Sequence, residues 1–223
     1  MRLADMPGFD DDDLESVSLT EETTAEEVGV DETKERQEKT KALLKEILFN
    51  SLYLLAVLIL TLFIVKYVGQ RTVVYGSSMA PTLMDENNLI VDKVTYRFSE
   101  PERFDIIVFP FAYEEDTYYI KRIIGMPGET VRIDEDGVIY ITDESGEERI
   151  LEENYGAEVI EDPGMAAYGI TLAADEYFVL GDNRNHSSDS RNPAVGVIHR
   201  EQIIGKAWLR IYPFADFGIV EHQ

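Results

Sequence analysis

Apolar residues are distributed along this chain in two contrasting ways. From Ile47 to Val65 they form one run, ILFNSLYLLAVLILTLFIV, with no formal charge and only Asn50, Ser51 and Thr61 as strongly polar members. As a helix rising about 1.5 Å per residue, the run spans roughly 28 Å, close to a bilayer's hydrocarbon thickness. A core helix of this length would show a polar stripe, and this one hardly does. The run, with its flanks, therefore predicts a transmembrane helix over residues 41–67. It is too long, and preceded by too many polar residues, for a cleavable signal sequence.

Downstream the pattern changes to short β-type runs punctuated by turn residues. Arg71–Tyr75 leads into Gly76, Phe104–Phe109 ends at Pro110, and Tyr118–Ile124 stops at Gly125. Thr130–Ile133 and Val138–Thr142 flank Asp136-Gly137, a strong hairpin signal. Tyr177–Leu180 precedes a polar turn, and Ile203–Tyr212 closes the set. Residues 68–223 thus predict an antiparallel all-β domain, with a Glu- and Gly-rich surface excursion at about 143–172.

Residues 1–40 are rich in Asp, Glu and Thr and lack sustained periodicity, which predicts a disordered acidic tail. That tail holds the run Asp10–Asp13 and contributes heavily to the formal charge of −24. The acidity reads as solvation rather than as a partner signal, and it argues against nucleic-acid binding through charge. Lys34, Arg36, Lys39, Lys41 and Lys45 precede the apolar run, whereas only Lys66 and Arg71 closely follow it. By that asymmetry the tail is cytoplasmic and residues 67–223 lie across a cell membrane, spanned once. With no cysteine and three scattered histidines, the chain offers no thiol nucleophile and no metal-ligand spacing, so no metal or cofactor is expected.

Three segments have compositions suited to chemistry. Gly76-Ser77-Ser78-Met79-Ala80-Pro81-Thr82-Leu83 ends a strand abruptly and would expose a hydroxyl, although alone it is more often a structural turn. In Tyr119–Ile124, strand alternation puts Lys121 on one face with Tyr119 and Ile123, and Arg122 on the other. One of these cations therefore sits among apolar neighbours, and a desolvated lysine shifts toward the neutral form that a general base requires. On this segment alone, a snorkelling edge-strand lysine is the commoner case. The third segment, Gly181-Asp182-Asn183-Arg184-Asn185-His186-Ser187-Ser188-Asp189-Ser190-Arg191, is a dense polar turn able to orient a base.

Together these segments resemble the signature boxes of bacterial type I signal peptidases, the membrane-anchored Ser-Lys proteases. The likeness covers about residues 45–212: anchor, S-M-x-P-T-L, D-I-I-V-F, Y-I-K-R-I-I-G-x-P-G-E and G-D-N-x-x-x-S-x-D-S-R, in the family's order. It implies a signal-peptidase-like β domain that removes signal peptides from secretory precursors at the outer face of the cytoplasmic membrane. In that reading Ser78 is the nucleophile and Lys121 the base. Ser187 orients the lysine, and Asp182, Asp189 and Arg191 support the site. The Ser78 backbone N–H serves the oxyanion, and Gly76 leaves the second donor open. Val74, Met79, Leu83, Tyr119 and Ile120 match the shallow substrate pockets. The resemblance further implies no cofactor, a bilayer and signal peptides as partners, and a compact form with a small second lobe; a monomer is expected.

Two other readings compete. A cytoplasmic self-cleaving Ser-Lys regulator shares the dyad but not the anchor. A non-catalytic tethered β module would be expected to lack Ser78 or Lys121, and both are present.

Overall fold

The computed structural model describes residues 11–155 and 158–222. Chain contacts divide it into two units, Met1–Thr61 and Leu62–Gln223. Helix α1, Asp11–Tyr67, occupies most of the first. It begins within the stretch expected to be disordered, and residues 1–10 of that stretch lie outside the described residues. Glu, Ala, Lys and Leu are strong helix formers, and no proline occurs between Pro7 and Pro81 to stop the helix extending upstream of the apolar run. Within α1, Arg36–Ile64 is long and apolar enough to cross a membrane. Its large apolar side chains are all exposed, up to 70% for Leu48 and Phe49.

The second unit is built from antiparallel strands. In chain order these are β1 (Gly69–Val73), β2 (Asn88–Asp92), β3 (Ile106–Pro110), β4 (Tyr118–Gly125), β5 (Thr130–Ile133) and β6 (Ile139–Thr142). They continue with β7 (Glu148–Ile150), β8 (Ile170–Thr171), β9 (Glu176–Leu180), β10 (Ile198–His199), β11 (Gly205–Tyr212) and β12 (Gly218–Ile219). The main sheet runs β1-β2-β11-β3-β4-β9-β10, with β12 pairing β11, and a second sheet runs β7-β6-β5-β8. The excursion at 143–172 thus contributes β7 and β8 to the small sheet.

The inner strands are buried on both faces, which is why they read as continuous apolar runs rather than alternating ones. Alternate residues of β9 serve different cores. Phe178 and Leu180 pack with Ile124, Val131, Ile133, Ile139 and Ile141, between the two sheets. Tyr177 and Val179 pack with Ile107, Phe109, Ile123 and Ile203. A third core under the start of the domain joins Val74, Met79, Leu83, Leu89, Ile106, Ala207 and Val220.

Close backbone approach fixes glycine at the head of β11. A Cβ on Gly205 would lie 2.2 Å from the Asp92 carbonyl oxygen, a backbone atom that cannot swing aside. Gly205→Ala is expected to destabilise the domain by about 1–3 kcal/mol, read as a lower urea midpoint at unchanged slope.

Candidate active site

The Gly76–Leu83 turn is held from below and from the side. Met79 and Leu83 are fully buried in the third core, and Leu83 N–H donates to the Met79 carbonyl at 2.9 Å. Gly76 adopts a left-handed φ of 84°, and its N–H donates to Asp85 Oδ1 at 2.9 Å. The polar turn after β9 grips the other side. Asn183 donates from its backbone N–H to the Ser78 carbonyl and from its side-chain Nδ2 to the Ser77 carbonyl, each at 3.1 Å. Ser78 is left half-buried at the bend.

Lys121 reaches this hydroxyl from β4. Its Nζ donates to Ser78 Oγ at 2.8 Å and to the Ile120 carbonyl at 3.0 Å. The residue is only 3% exposed, with the Tyr119 ring centroid 5.0 Å from Nζ. Burial pushes its pKa from 10.5 down to about 8, against the upward pull of Asp189 and Asp182.

The sequence expectation that one of the two adjacent cations is desolvated holds for both. Arg122 is 1% exposed, but it is matched by a carboxylate. Its Nε and Nη2 donate to Asp182 Oδ1 and Oδ2 at 2.8 and 2.7 Å, a bidentate pair. Asp182 also accepts from Thr82 Oγ1 at 2.5 Å, which ties the pair to the Ser78 turn. Asp189 accepts from Arg191 Nε and Nη2 at 2.8 and 2.9 Å and from the Gly181 N–H at 3.1 Å.

Asp182, Asp189 and Arg191 are therefore brought into one network around Ser78 and Lys121. Ser187 is not joined to the lysine. Its Oγ is buried without a hydrogen-bond partner, tucked against Gly181, while Nζ is engaged by Ser78 and Ile120. The neighbouring Ser188, which sequence reasoning passed over, lines the cleft instead.

That cleft, of about 970 Å³, runs between Gln70–Tyr75 and Asp116–Lys121 with Ser78 at one end. Of the five residues expected at substrate pockets, Val74, Tyr119 and Ile120 form part of its wall. Met79 and Leu83 do not. They point down into the core, because the turn needs apolar anchors beneath it. Three further residues buttress the network. Arg184 pairs with Glu153 through two 2.7 Å contacts, and the Tyr155 ring lies under Arg122 with its centroid 3.8 Å from Cζ. Arg184 was visible in the polar turn, whereas Glu153 and Tyr155 come from the excursion and carry no motif.

Residues 46–212 match the family model described as signal peptidase, peptidase S26. The chain belongs to the signal peptidase family. Signal peptidase I U of Bacillus subtilis (strain 168) is 38% identical over 186 residues, covering 80% of this chain and 93% of that protein. A probable signal peptidase I-2 of Synechocystis is 37% identical over 168 residues, 73% of this chain and 72% of its own. Signal peptidase IB of Staphylococcus aureus (strain Mu50) is 32% identical over 185 residues, with 78% and 94% coverage. Among the described residues no cluster of three or more His, Asp or Glu is placed to hold a metal ion.

In this signal peptidase, Gly181 lies where three segments converge. A Cβ there would fall 2.2 Å from Ser187 Oγ and 2.4 Å from the Ser78 carbonyl oxygen. Gly181→Ala is expected to push the Ser78 turn outward and lower kcat by about 100-fold. A turnover number within about twofold of wild type would show that the turn accommodates the methyl group.

Proposed function

We propose that this chain is a signal peptidase I in which Ser78 is the nucleophile and Lys121 the general base. The observation that carries the reading is the 2.8 Å contact between Lys121 Nζ and Ser78 Oγ, with the lysine buried and no carboxylate hydrogen-bonded to its amine. With the amine neutral, the same contact lets the Ser78 O–H donate to the nitrogen lone pair. Oγ then attacks the scissile carbonyl as the proton passes to Nζ. Protonated Lys121 returns that proton to the departing amine, leaving an ester on Ser78. Neutral again, Lys121 takes a proton from water as the water adds to the ester carbonyl, and Ser78 is released with its hydroxyl restored.

The Ser78 N–H has no acceptor among the described residues, which suits it to the oxyanion. Gly76 N–H is committed to Asp85 and is not the second donor. Asp182, Asp189 and Arg191 act as supports that hold the turn and the base in register.

The cleft favours an extended peptide. β1 is an edge strand, and Tyr118–Lys121 of β4 lies beyond the end of its pairing with β9. A substrate strand entering between them meets unpaired backbone on both sides, with Val74, Tyr119 and Ile120 limiting side-chain size. The substrate class is the signal peptide of secretory precursors. The apolar run within α1, residues 47–65, would span the cytoplasmic membrane once, with the Lys-rich flank at 34–45 cytoplasmic and a monomeric β domain outside.

Cleavage of a precursor by the full chain in detergent tests the dyad. Ser78→Ala and Lys121→Met are each expected to lower kcat/KM by at least about 10³-fold with the thermal midpoint preserved. Undiminished cleavage by Ser78→Ala would falsify the mechanism.

The pH profile tests the base separately. Below pH 8 Lys121 is increasingly protonated and cannot accept the Ser78 proton. kcat/KM should therefore rise with pH, about tenfold per unit on the acid side, and level off above a midpoint near 8. A rate flat from pH 6 to 9 would remove Lys121 from the base role.

A further inference from the structure

Arg122 has an attachment that the reaction above does not use. Besides gripping Asp182, its Nη1 donates to the Phe104 carbonyl at 3.0 Å and to the carbonyl of His222. The segment carrying His222 is folded back against the domain. β12 pairs β11, Val220 N–H donates to the Trp208 carbonyl at 2.9 Å, and Val220 is buried in the core that anchors Met79 and Leu83.

The His222 ring then fills a gap in the sheet. β11 pairs β3 only through Gly205–Lys206 against Val108–Ile107, so the Ile106 N–H has no strand partner on that side. His222 Nδ1 accepts it at 3.0 Å. Accepting requires a lone pair on Nδ1, hence a neutral ring in the tautomer protonated on Nε2. The charged and titratable groups around the ring are Lys206 from β11, Arg122 from β4 and Asp105 just before β3. Burial, Lys206 and Arg122 bring its pKa down to about 4 against the opposing pull of Asp105 and an Ala207 backbone bond, so the ring is neutral at pH 7.

We propose that His222 is a positioning residue for the Ser78 turn. Its ring, fixed by Ile106, sets the carbonyl that Arg122 grips, and Arg122 transmits that position through Asp182 to Thr82 and the turn. The proposal rests on the Ser78–Lys121 reading for its consequence in catalysis, but its structural part stands apart from it.

The test uses the full chain in detergent with two substitutions. His222→Leu keeps the bulk and removes the acceptor, whereas His222→Asn keeps an acceptor oxygen, Oδ1, at the position of Nδ1. His222→Leu is expected to lower kcat about tenfold with KM within about twofold, and His222→Asn to stay within about threefold of wild type. Amide hydrogen exchange over residues 76–83 should quicken in His222→Leu and not in His222→Asn. A folded His222→Leu enzyme with wild-type kcat and wild-type exchange over 76–83 overturns the proposal. Equal losses in both variants with unchanged exchange there overturn it as well, because His222 would then act only on stability. Should the leucine variant not fold, His222→Gln, whose carbonyl oxygen lies one bond beyond the position of Nδ1 and so is displaced from the Ile106 N–H, is read by the same two measures. An active Ser78→Ala enzyme would sink the nucleophile assignment while leaving the exchange result to decide the role of His222.

Discussion

The bidentate bond between Arg122 and Asp182 joins β4, which carries Lys121, to the polar turn after β9, which grips the Ser78 turn. Both side chains are 1% exposed, so neither can be satisfied by solvent. Charges so placed require pairing with good geometry, and the guanidinium–carboxylate fork supplies it. The remaining Asp182 contact goes to Thr82 and the remaining guanidinium nitrogen to two main-chain carbonyls. The pair therefore fixes distances across the site as well as neutralising two charges.

Lys121, one residue away on the opposite face of β4, is treated differently. No carboxylate lies within bonding distance of its amine, and desolvation dominates the two more distant acids. The consequence is large in chemical terms. With a pKa of 10.5, about one lysine in 3,000 is neutral at pH 7; with a pKa of about 8, about one in ten is. Asp189 and Asp182 work against this, and they are tolerable because Arg191 and Arg122 absorb most of their field through two-point contacts. Pairing Asp182 and Asp189 with arginines is what would leave Lys121 free for the proposed role of base.

Much of this was legible in the sequence where local pattern decides the outcome. Strand alternation separated Lys121 from Arg122, and the runs at Phe104–Phe109, Tyr118–Ile124, Tyr177–Leu180 and Ile203–Tyr212 became β3, β4, β9 and β11. β2 was missed because Asn88 and Asp92 bound a run too short to stand out, and its identity comes from lying between β1 and β11. The helix reaching back to Asp11 was missed because charge composition was weighed above helix propensity. At the site, Ser78, Lys121, Asp182, Asp189 and Arg191 came from motifs. Tyr155, Glu153 and His222 did not, because their contacts join distant parts of the chain that no local pattern records.

The fate of Met79 and Leu83 changes the view of how such a site selects substrates. Expected among the residues of the shallow pockets, they instead lock the turn from beneath. The wall is left to Val74, Tyr119 and Ile120, flanked by backbone edges of β1 and β4 that have no strand between them. Deep apolar pockets would gain affinity from particular large side chains and so narrow the set of peptides accepted. Backbone pairing along an open edge is indifferent to most side chains, while a shallow wall still excludes bulk at the few positions that face it. A protease that must cut many unrelated precursors at one kind of position requires that combination. Here it follows from spending the largest apolar residues of the motif on holding Ser78 in place.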